Sequence, residues 1–361
     1  MYANNRDNAI TDFLNKYLEL IILPTEACNF RCDYCFEDHA TDGGIRPDVV
    51  LGIKNLITKR AQDLERVTVQ WYGGEPLLRY DAITDIMGHL QGLVNASGGR
   101  LSASGTATTN GYFLTAERLA CLVKLGVTDY QITLDGNREE HDKLRKRADD
   151  AGTFNTIWRN LVAAHDTGLD FSIMVRLHVN RDNEKSMGSL LHRLYHDMGN
   201  DKRFTVYIRQ LSRLGGPNDA SLPITDSLDS VNRLRGLARS LGFGFPDIDV
   251  HEADPKYVCY AAKPFSYMIR PDGRIGKCTV ALRSEQNTIG RINPDGTMEI
   301  DSDKAAWWSR AIFTGERKAL ICPSQDLELV EPPKLLRIAS VSESAMKRGD
   351  TAVSAALSKS F

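Results

Sequence analysis

The sequence has no long apolar run and no excess of charge of either sign. Its 361 residues include 45 Lys and Arg against 47 Asp and Glu, which gives a net charge of -2. No apolar stretch approaches the roughly 18 residues that a membrane-spanning helix needs. Balanced charge is also unlike the polyelectrolyte character of proteins that bind nucleic acid or anionic membranes. We therefore expect neither a nucleic acid nor a membrane as a partner.

The beginning of the chain lacks the pattern of a secretory signal. Residues 1–8 contain no basic segment followed by an apolar one, so we expect a cytoplasmic location. The seven cysteines are an odd number, and three of them lie within eight residues. In a chain without an export signal, this pattern favours metal ligation or free thiols over a framework of disulfides.

Six short runs rich in β-branched and aromatic residues alternate with amphipathic segments in the first two thirds of the chain. The runs are residues 18–24, 67–72, 104–109, 128–135, 171–179 and 203–211. Repeated strand–helix units joined by right-handed crossovers form a parallel sheet. The pattern predicts an α/β fold, namely a partial (β/α)6 TIM-like barrel over residues 18–245. A doubly wound open sheet is the alternative.

The pattern of alternating strands and helices ends at about residue 245. Pro-Asp-Gly at 271–273 and Asn-Pro-Asp-Gly at 293–296 each predict the turn of a β-hairpin. We predict a small β-containing C-terminal domain at residues 246–330, after an N-terminal extension at 1–17 and the barrel at 18–245. The polar, Ser- and Lys-rich residues 331–361 predict a loosely packed tail.

A cluster of three cysteines follows the first predicted strand, with Cys28, Cys32 and Cys35 spaced by three and then two residues. Thiolates are the ligands that iron–sulfur clusters need, and three of them leave one iron of a four-iron cluster without a protein ligand. An open metal position is where a substrate or cofactor binds. A zinc site with His39 as the fourth ligand is the alternative.

This motif, with the aromatic Phe36 directly after the last cysteine, resembles the radical S-adenosylmethionine (SAM) superfamily. The resemblance implies a [4Fe-4S] cluster on Cys28, Cys32 and Cys35 whose fourth iron binds SAM. It further implies an external electron donor, reductive cleavage of SAM to methionine and a 5′-deoxyadenosyl radical, and abstraction of a hydrogen atom from the substrate by that radical.

Residues at the ends of later predicted strands resemble the family's SAM-binding elements. Gly-Gly-Glu-Pro at 73–76 matches the element that holds the SAM amino group, and Arg145 resembles the residue that pairs with the SAM carboxylate. The resemblance assigns cofactor binding to Phe36, Gly73, Gly74, Glu75, Pro76, Asn110, Thr133, Asp135 and Arg145. On residue chemistry alone, ordinary turns and a solvated basic patch around Arg145 remain open.

A second set of cysteines lies in the C-terminal part. Cys259 and Cys278, separated by a segment containing Gly273, resemble the opening of a SPASM or shorter twitch extension, which holds auxiliary iron–sulfur clusters. Cys322 is the predicted third thiolate. The chain has no cysteine after Cys322, so we expect at most one auxiliary cluster. Simple burial of free thiols is the alternative.

Radical SAM proteins with such extensions mostly modify peptides. The resemblance therefore implies a maturase that abstracts hydrogen from a precursor peptide and forms a carbon–carbon or thioether crosslink, with a separate leader-binding protein as a further partner. One alternative is a sulfatase-maturase-like enzyme that makes formylglycine, with Asp254 or Asp272 as its base. The other is a non-catalytic zinc-binding interaction protein.

Overall fold

A computed structural model describes residues 15–37, 39, 43–199, 201–225, 227–245 and 257–329. Its strands are β1 (Tyr17–Ile22), β2 (Phe30–Cys32), β3 (Arg66–Trp71), β4 (Ser102–Thr109), β5 (Val127–Leu134), β6 (Arg145–Arg147), β7 (Ser172–Val179), β8 (Phe204–Gln210), β9 (Ser266–Ile269), β10 (Arg274–Gly276), β11 (Gly290–Ile292) and β12 (Met298–Ile300). Its helices are α1 (Pro47–Arg60), α2 (Tyr80–Ala96), α3 (Ala116–Lys124), α4 (Arg138–Leu144), α5 (Phe154–His165), α6 (Glu184–Met198), α7 (Asp229–Ser240), α8 (Ser302–Trp308), α9 (Ala311–Thr314) and α10 (Arg317–Ile321). Within these residues, no helix has the length and apolar character needed to cross a membrane.

Six parallel strands form the core of a ten-stranded sheet. Strands β1, β3, β4, β5, β7 and β8 pair in that order, and each corresponds to one of the six predicted runs. In the described part of the chain the sheet does not close, because β8 and β12 lie at opposite ends of the strand order. The prediction of an α/β fold with a partial barrel is confirmed.

The C-terminal strands extend the same sheet. β9 pairs in parallel with β1, and β10, β11 and β12 follow as antiparallel neighbours. Both predicted hairpins are present, one between β9 and β10 and one between β11 and β12. The predicted boundary at residue 245 adjoins residues 246–256, which lie outside the described residues, as does the predicted tail at 331–361. The domain boundaries therefore stay a prediction.

The helices cover the sheet because their apolar residues fall on one face. In α1, which begins at Pro47, the buried residues Val49, Ile53, Leu56 and Ile57 recur at helical spacing. Proline suits the first turn of a helix, where its missing N–H is not needed. Strand order and helix packing together bring the carboxyl ends of six parallel strands to one edge, which is where barrels place their sites.

Candidate functional site

The three clustered cysteines lie in the segment that follows β1, and all three line one cavity. The backbone N–H of Phe30 donates to Sγ of Cys28 at 3.3 Å, and the N–H of Cys35 donates to the carbonyl of Cys32 at 3.0 Å. Cys32 also belongs to β2, where it pairs with Arg145 of β6. The structure thus brings the three predicted ligands to the same cavity.

Two glycines allow the segment after β3 to approach the cysteine segment closely. The N–H of Gly74 donates to the carbonyl of Thr25 at 3.2 Å, and the N–H of Glu75 donates to the carbonyl of Ala27 at 2.9 Å. A Cβ at Gly73 would lie 2.4 Å from the Thr25 carbonyl, and one at Gly74 would lie 2.3 Å from that of Ala27. Gly73 also has a φ of +107°. Both positions line the cavity and require glycine.

Glu75 faces the protein and not the cavity. Its carboxylate is fully buried and accepts hydrogen bonds from the N–H of Leu77 at 2.9 Å, the hydroxyl of Thr109 at 2.7 Å and the N–H of Asn110 at 2.7 Å. Burial raises the pKa of Glu75, although these three hydrogen bonds act in the opposite direction. Glu75 and Pro76 are not among the lining residues, whereas Asn110 is. Through these hydrogen bonds, Glu75 links the segment after β3 to the end of β4.

Arg145 is buried, with 7% of its surface exposed, so it is not part of a solvated basic patch. Its Nη1 donates to the hydroxyl of Tyr34, which donates in turn to Oδ2 of Asp135 at 2.5 Å. Oδ1 of Asp135 lies 3.5 Å from Nδ1 of His178. Arg145, Tyr34 and His178 line the cavity, while the fully buried Asp135 lies behind them. This chain of contacts orients Arg145 beside the cysteines.

The charge of Asp135 is stabilised inside the protein. Burial opposes its ionisation, but the nearby ring of His178, 3.5 Å away, and the charge of Arg145 outweigh it and lower the pKa of Asp135 to about 2. Burial and the charge of Arg176 lower the pKa of His178 to about 4, so its ring is neutral near pH 7. No sequence pattern indicates a role for Tyr34. His178 and Arg176 carry a signal, since they interrupt an apolar strand at alternate positions.

A second set of contacts fixes the backbone of Arg145. Nδ1 of His141 accepts from the N–H of Asp135 at 3.3 Å, and its Nε2 lies 3.0 Å from the hydroxyl of Thr153. That hydroxyl donates to the carbonyl of Arg145 at 2.5 Å. Burial, followed by the charge of Arg145, lowers the pKa of His141 to about 4. A neutral imidazole can accept at one nitrogen and donate at the other, as this arrangement requires.

The charges around the cavity are compatible with a bound group whose ligands are thiolates. Burial raises the pKa of Cys28, Cys32 and Cys35, to about 12 for Cys35, while the charge of Arg145 acts in the opposite direction at Cys32 and Cys35. Metal ligation requires the thiolate form, so binding of a cluster would release protons here. Three thiols on one cavity beside a buried cation match the donor set of a three-thiolate iron–sulfur cluster.

A site for a single metal ion needs a different arrangement of side chains from a site for a cluster. Across the described residues, no group of three or more His, Cys, Asp or Glu side chains is placed to hold one metal ion. His39, the predicted fourth ligand of the zinc alternative, lines the same cavity as the cysteines.

The C-terminal cysteines also lie near one another. The side chain of Asn287 accepts from the N–H of Cys278 at 2.9 Å and donates to its carbonyl at 2.8 Å, which fixes the turn after β10. The N–H of Cys259 donates to the carbonyl of Leu320, two residues before Cys322. Burial, and then the nearby thiols of Cys278 and Cys322, raise the pKa of Cys259 to about 12. An auxiliary cluster on these residues stays a prediction.

Of the two candidate bases, Asp272 lies away from the cavity. Asp272 lies in the turn between β9 and β10, where Arg274 donates to its carboxylate from Nε at 2.6 Å and from the backbone at 3.0 Å. Burial opposes the ionisation of Asp272, but these bonds outweigh it and lower the pKa. A carboxylate held in this way is a weak base, and Asp272 is not a lining residue. Asp254 lies outside the described residues.

Comparison with known proteins identifies the family. The model of the radical SAM superfamily matches residues 22–191. The curated GTP 3′,8-cyclase of Photorhabdus laumondii is 30% identical over 127 residues, which are 35% of this chain and 36% of that protein. The chain thus spans about a third of the length of this curated relative.

Two solved structures have a similar fold. The protein anSMEcpe with bound AdoMet (SAM) aligns with a TM-score of 0.57 and 16% identity, over 80% of each chain. SuiB of Streptococcus suis, bound to SAM, also aligns with a TM-score of 0.57 and 16% identity, over 85% of this chain and 69% of SuiB. At such identities the likeness concerns the fold. Taken together, the match to the radical SAM superfamily over residues 22–191 and the partial barrel support a radical SAM enzyme.

Proposed function

We propose that the chain is a radical SAM peptide maturase. The observation that carries the proposal is the convergence of Cys28, Cys32 and Cys35 on one cavity, next to Gly73 and Gly74, at the ends of the parallel strands. In this proposal the three cysteines hold a [4Fe-4S] cluster. Once reduced by an external electron donor, the cluster supplies the electron that cleaves SAM to methionine and a 5′-deoxyadenosyl radical, which takes a hydrogen atom from a peptide.

The chain's own residues position SAM in this proposal. Gly73 and Gly74 bring backbone close to the SAM ammonium group, and the buried guanidinium of Arg145 binds the SAM carboxylate. Asn110 and Thr133 line the same cavity and offer an amide and a hydroxyl. Glu75 and Asp135 do not contact SAM in this proposal. Glu75 accepts a hydrogen bond from Asn110 and Asp135 accepts one from Tyr34, so each orients a residue that lines the cavity.

A second cleft suits the peptide. It shares Phe36, Glu37 and Leu214 with the first cavity and extends to Val280 and Ala281, two and three residues after Cys278. Leu214 and Val280 are 40% and 45% exposed, which is unusual for large apolar side chains and provides contact for an extended chain. SuiB has been solved with the precursor peptide SuiA, and anSMEcpe with a Kp18Cys peptide.

The second group of cysteines completes the proposal. In this proposal Cys259, Cys278 and Cys322 hold one auxiliary iron–sulfur cluster. Formation of a carbon–carbon or thioether crosslink removes two hydrogen atoms from the peptide. The 5′-deoxyadenosyl radical takes one of them with its electron, and the auxiliary cluster accepts the remaining electron as the second leaves as a proton. A separate leader-binding protein delivers the peptide.

Cleavage of SAM tests the radical chemistry. Anaerobically reconstituted protein, given SAM and dithionite, is expected to form 5′-deoxyadenosine, measured by liquid chromatography and mass spectrometry. Cys32→Ala should abolish the product, whereas Cys121→Ala, in α3 and away from the cavity, should retain it. Equal product from the wild type and Cys32→Ala would refute the proposal. A colourless protein that contains zinc and no iron would instead support the zinc-binding alternative.

The product identifies the maturation reaction. A short precursor encoded beside this chain is expected to lose two hydrogen atoms for each crosslink, with fragment ions missing between the joined residues. If the modified Cys or Ser instead reacts with a hydrazide reagent, it has become formylglycine, which supports the sulfatase-maturase-like alternative.

A further inference from the structure

Two arginines on neighbouring strands line the cavity. Arg176 lies on β7 and Arg209 on β8, and the register pairs Arg176 with Tyr207 and His178 with Arg209. Alternate residues of a strand point to the same face, so both guanidiniums belong to the inner face of the sheet. They stand side by side at the open edge of the six parallel strands.

No acidic side chain in the described part of the chain neutralises either charge. Among the described residues, Arg176 and Arg209 make no ion pair with an acidic side chain, and Nε of Arg176 is buried without a hydrogen-bond partner. Burial, and then the charge of Arg209, lower the pKa of Arg176. Two like charges held together in a partly buried site are costly unless an anion joins them. Gln131 and Thr133, which belong to the same lining, are uncharged and cannot supply that anion.

The surroundings distinguish this pair from the cation beside the cysteines. The charge of Arg145 acts on Cys32 and Cys35. The groups that act on Arg176 are Arg209 and three tyrosines, Tyr72, Tyr34 and Tyr207. After β8 the lining continues through Leu214, which also borders the second cleft. The arginine pair therefore lies on the side of the cavity that continues towards the second cleft. Glu37, at the junction of the two cavities, is the acidic residue of this lining.

We propose that Arg176 and Arg209 form a subsite that binds a carboxylate of the substrate, either an acidic side chain or a C-terminal carboxylate. The inference rests on the proposed function, because it names a feature of the peptide that this cavity accepts. Two guanidinium groups can each donate two parallel hydrogen bonds to one carboxylate, a geometry that a single lysine cannot provide. Binding of that group would fix the distance between the attacked carbon and the anchor.

The test uses the reconstituted protein with SAM bound and two capped amino acids as probes. N-acetyl-glutamate N-methylamide carries the carboxylate, and N-acetyl-glutamine N-methylamide is its uncharged match. Isothermal titration calorimetry is expected to show about 10-fold tighter binding of the acid. Arg176→Met and Arg209→Met should each remove most of this difference, Arg209→Lys should retain part of it, and the exposed Arg159→Met in α5 should leave it unchanged.

SAM affinity and 5′-deoxyadenosine formation are measured on the same preparations. Unchanged SAM affinity in Arg176→Met, together with lost discrimination between the probes, supports the substrate subsite. Equal binding of acid and amide by the wild type overturns it. So does a loss of SAM affinity in Arg176→Met, since the anion would then be the SAM carboxylate. Absence of 5′-deoxyadenosine from the wild type refutes the radical function separately, whatever the probes show. If a methionine variant fails to fold, Arg209→Lys and the probe pair still decide.

Discussion

At the scale of single residues, a demanding contact is the one between the two backbone segments at the cysteines. Gly74 leaves no space for a side chain, since a Cβ would lie 2.3 Å from the Ala27 carbonyl. We expect Gly74→Ala to force the segments apart, to cost about 1–3 kcal/mol of unfolding free energy, and to reduce SAM affinity and 5′-deoxyadenosine formation strongly. Calorimetry with SAM and thermal unfolding measure the two effects.

Gly88 provides the matched control for this substitution. It lies in α2, and no heavy atom would come within 4 Å of an added Cβ. Gly88→Ala should stabilise the helix by about 0.5–1 kcal/mol and leave SAM binding unchanged. If both alanine variants bind SAM equally well, close approach at Gly74 has no part in SAM binding.

At the scale of elements, the start of α5 shows where sequence patterns stop being informative. The preference of hydroxyl side chains for the N-cap position indicates Thr153 as the residue before α5, and Thr153 is at that position. Its hydroxyl instead donates to the Arg145 carbonyl, and Asp142 accepts from the N–H groups of Thr153 and Phe154 at 2.8 and 2.9 Å. A local pattern cannot reveal that a distant carbonyl competes for the hydroxyl.

The turn after β10 depends on one amide side chain. Asn287 bonds the backbone of Lys277, Cys278 and Ala281 through its oxygen and its nitrogen. We expect Asn287→Ala to displace Cys278 and lower the iron content per chain, while 5′-deoxyadenosine formation continues at the first site. Iron and sulfide analysis with the SAM cleavage assay measures both. Asn293→Ala, in the exposed turn after β11, should change neither. Full iron content in Asn287→Ala would contradict this role.

At the scale of the whole molecule, the barrel strands were predictable and the arrangement of the remaining strands was not. Each of the six parallel strands is a short apolar run bounded by turn residues, and sequence order equals spatial order from β3 to β5. The parallel pairing of β9 with β1 joins residues about 250 positions apart, which no local periodicity encodes. The cavity-lining residues Tyr34 and Arg209 were missed for the same reason, whereas Arg176 interrupts an apolar strand and so carries a local signal.

Removal of the C-terminal strands tests how far the barrel depends on them. A chain that ends at residue 257 would expose the edge of β1 from Glu19 to Ile22, now paired with β9. Unpaired edges of this kind promote association between chains. We expect the shortened chain to aggregate in size-exclusion chromatography, whereas a chain that ends at residue 330 keeps every described strand and stays dispersed. A monomeric short chain with unchanged thermal stability would refute this dependence.

The pairing of β9 with β1 also bears on electron flow. The segment that carries Cys28, Cys32 and Cys35 begins where β1 ends, while Cys259 and Cys278 flank the hairpin of β9 and β10. Neighbouring strands are held roughly 4.8 Å apart by their backbone hydrogen bonds. The gap between the two thiol groups is therefore set by a sheet and not by a hinge. Clusters bound to these cysteines would therefore keep a separation that the pairing of β9 with β1 sets.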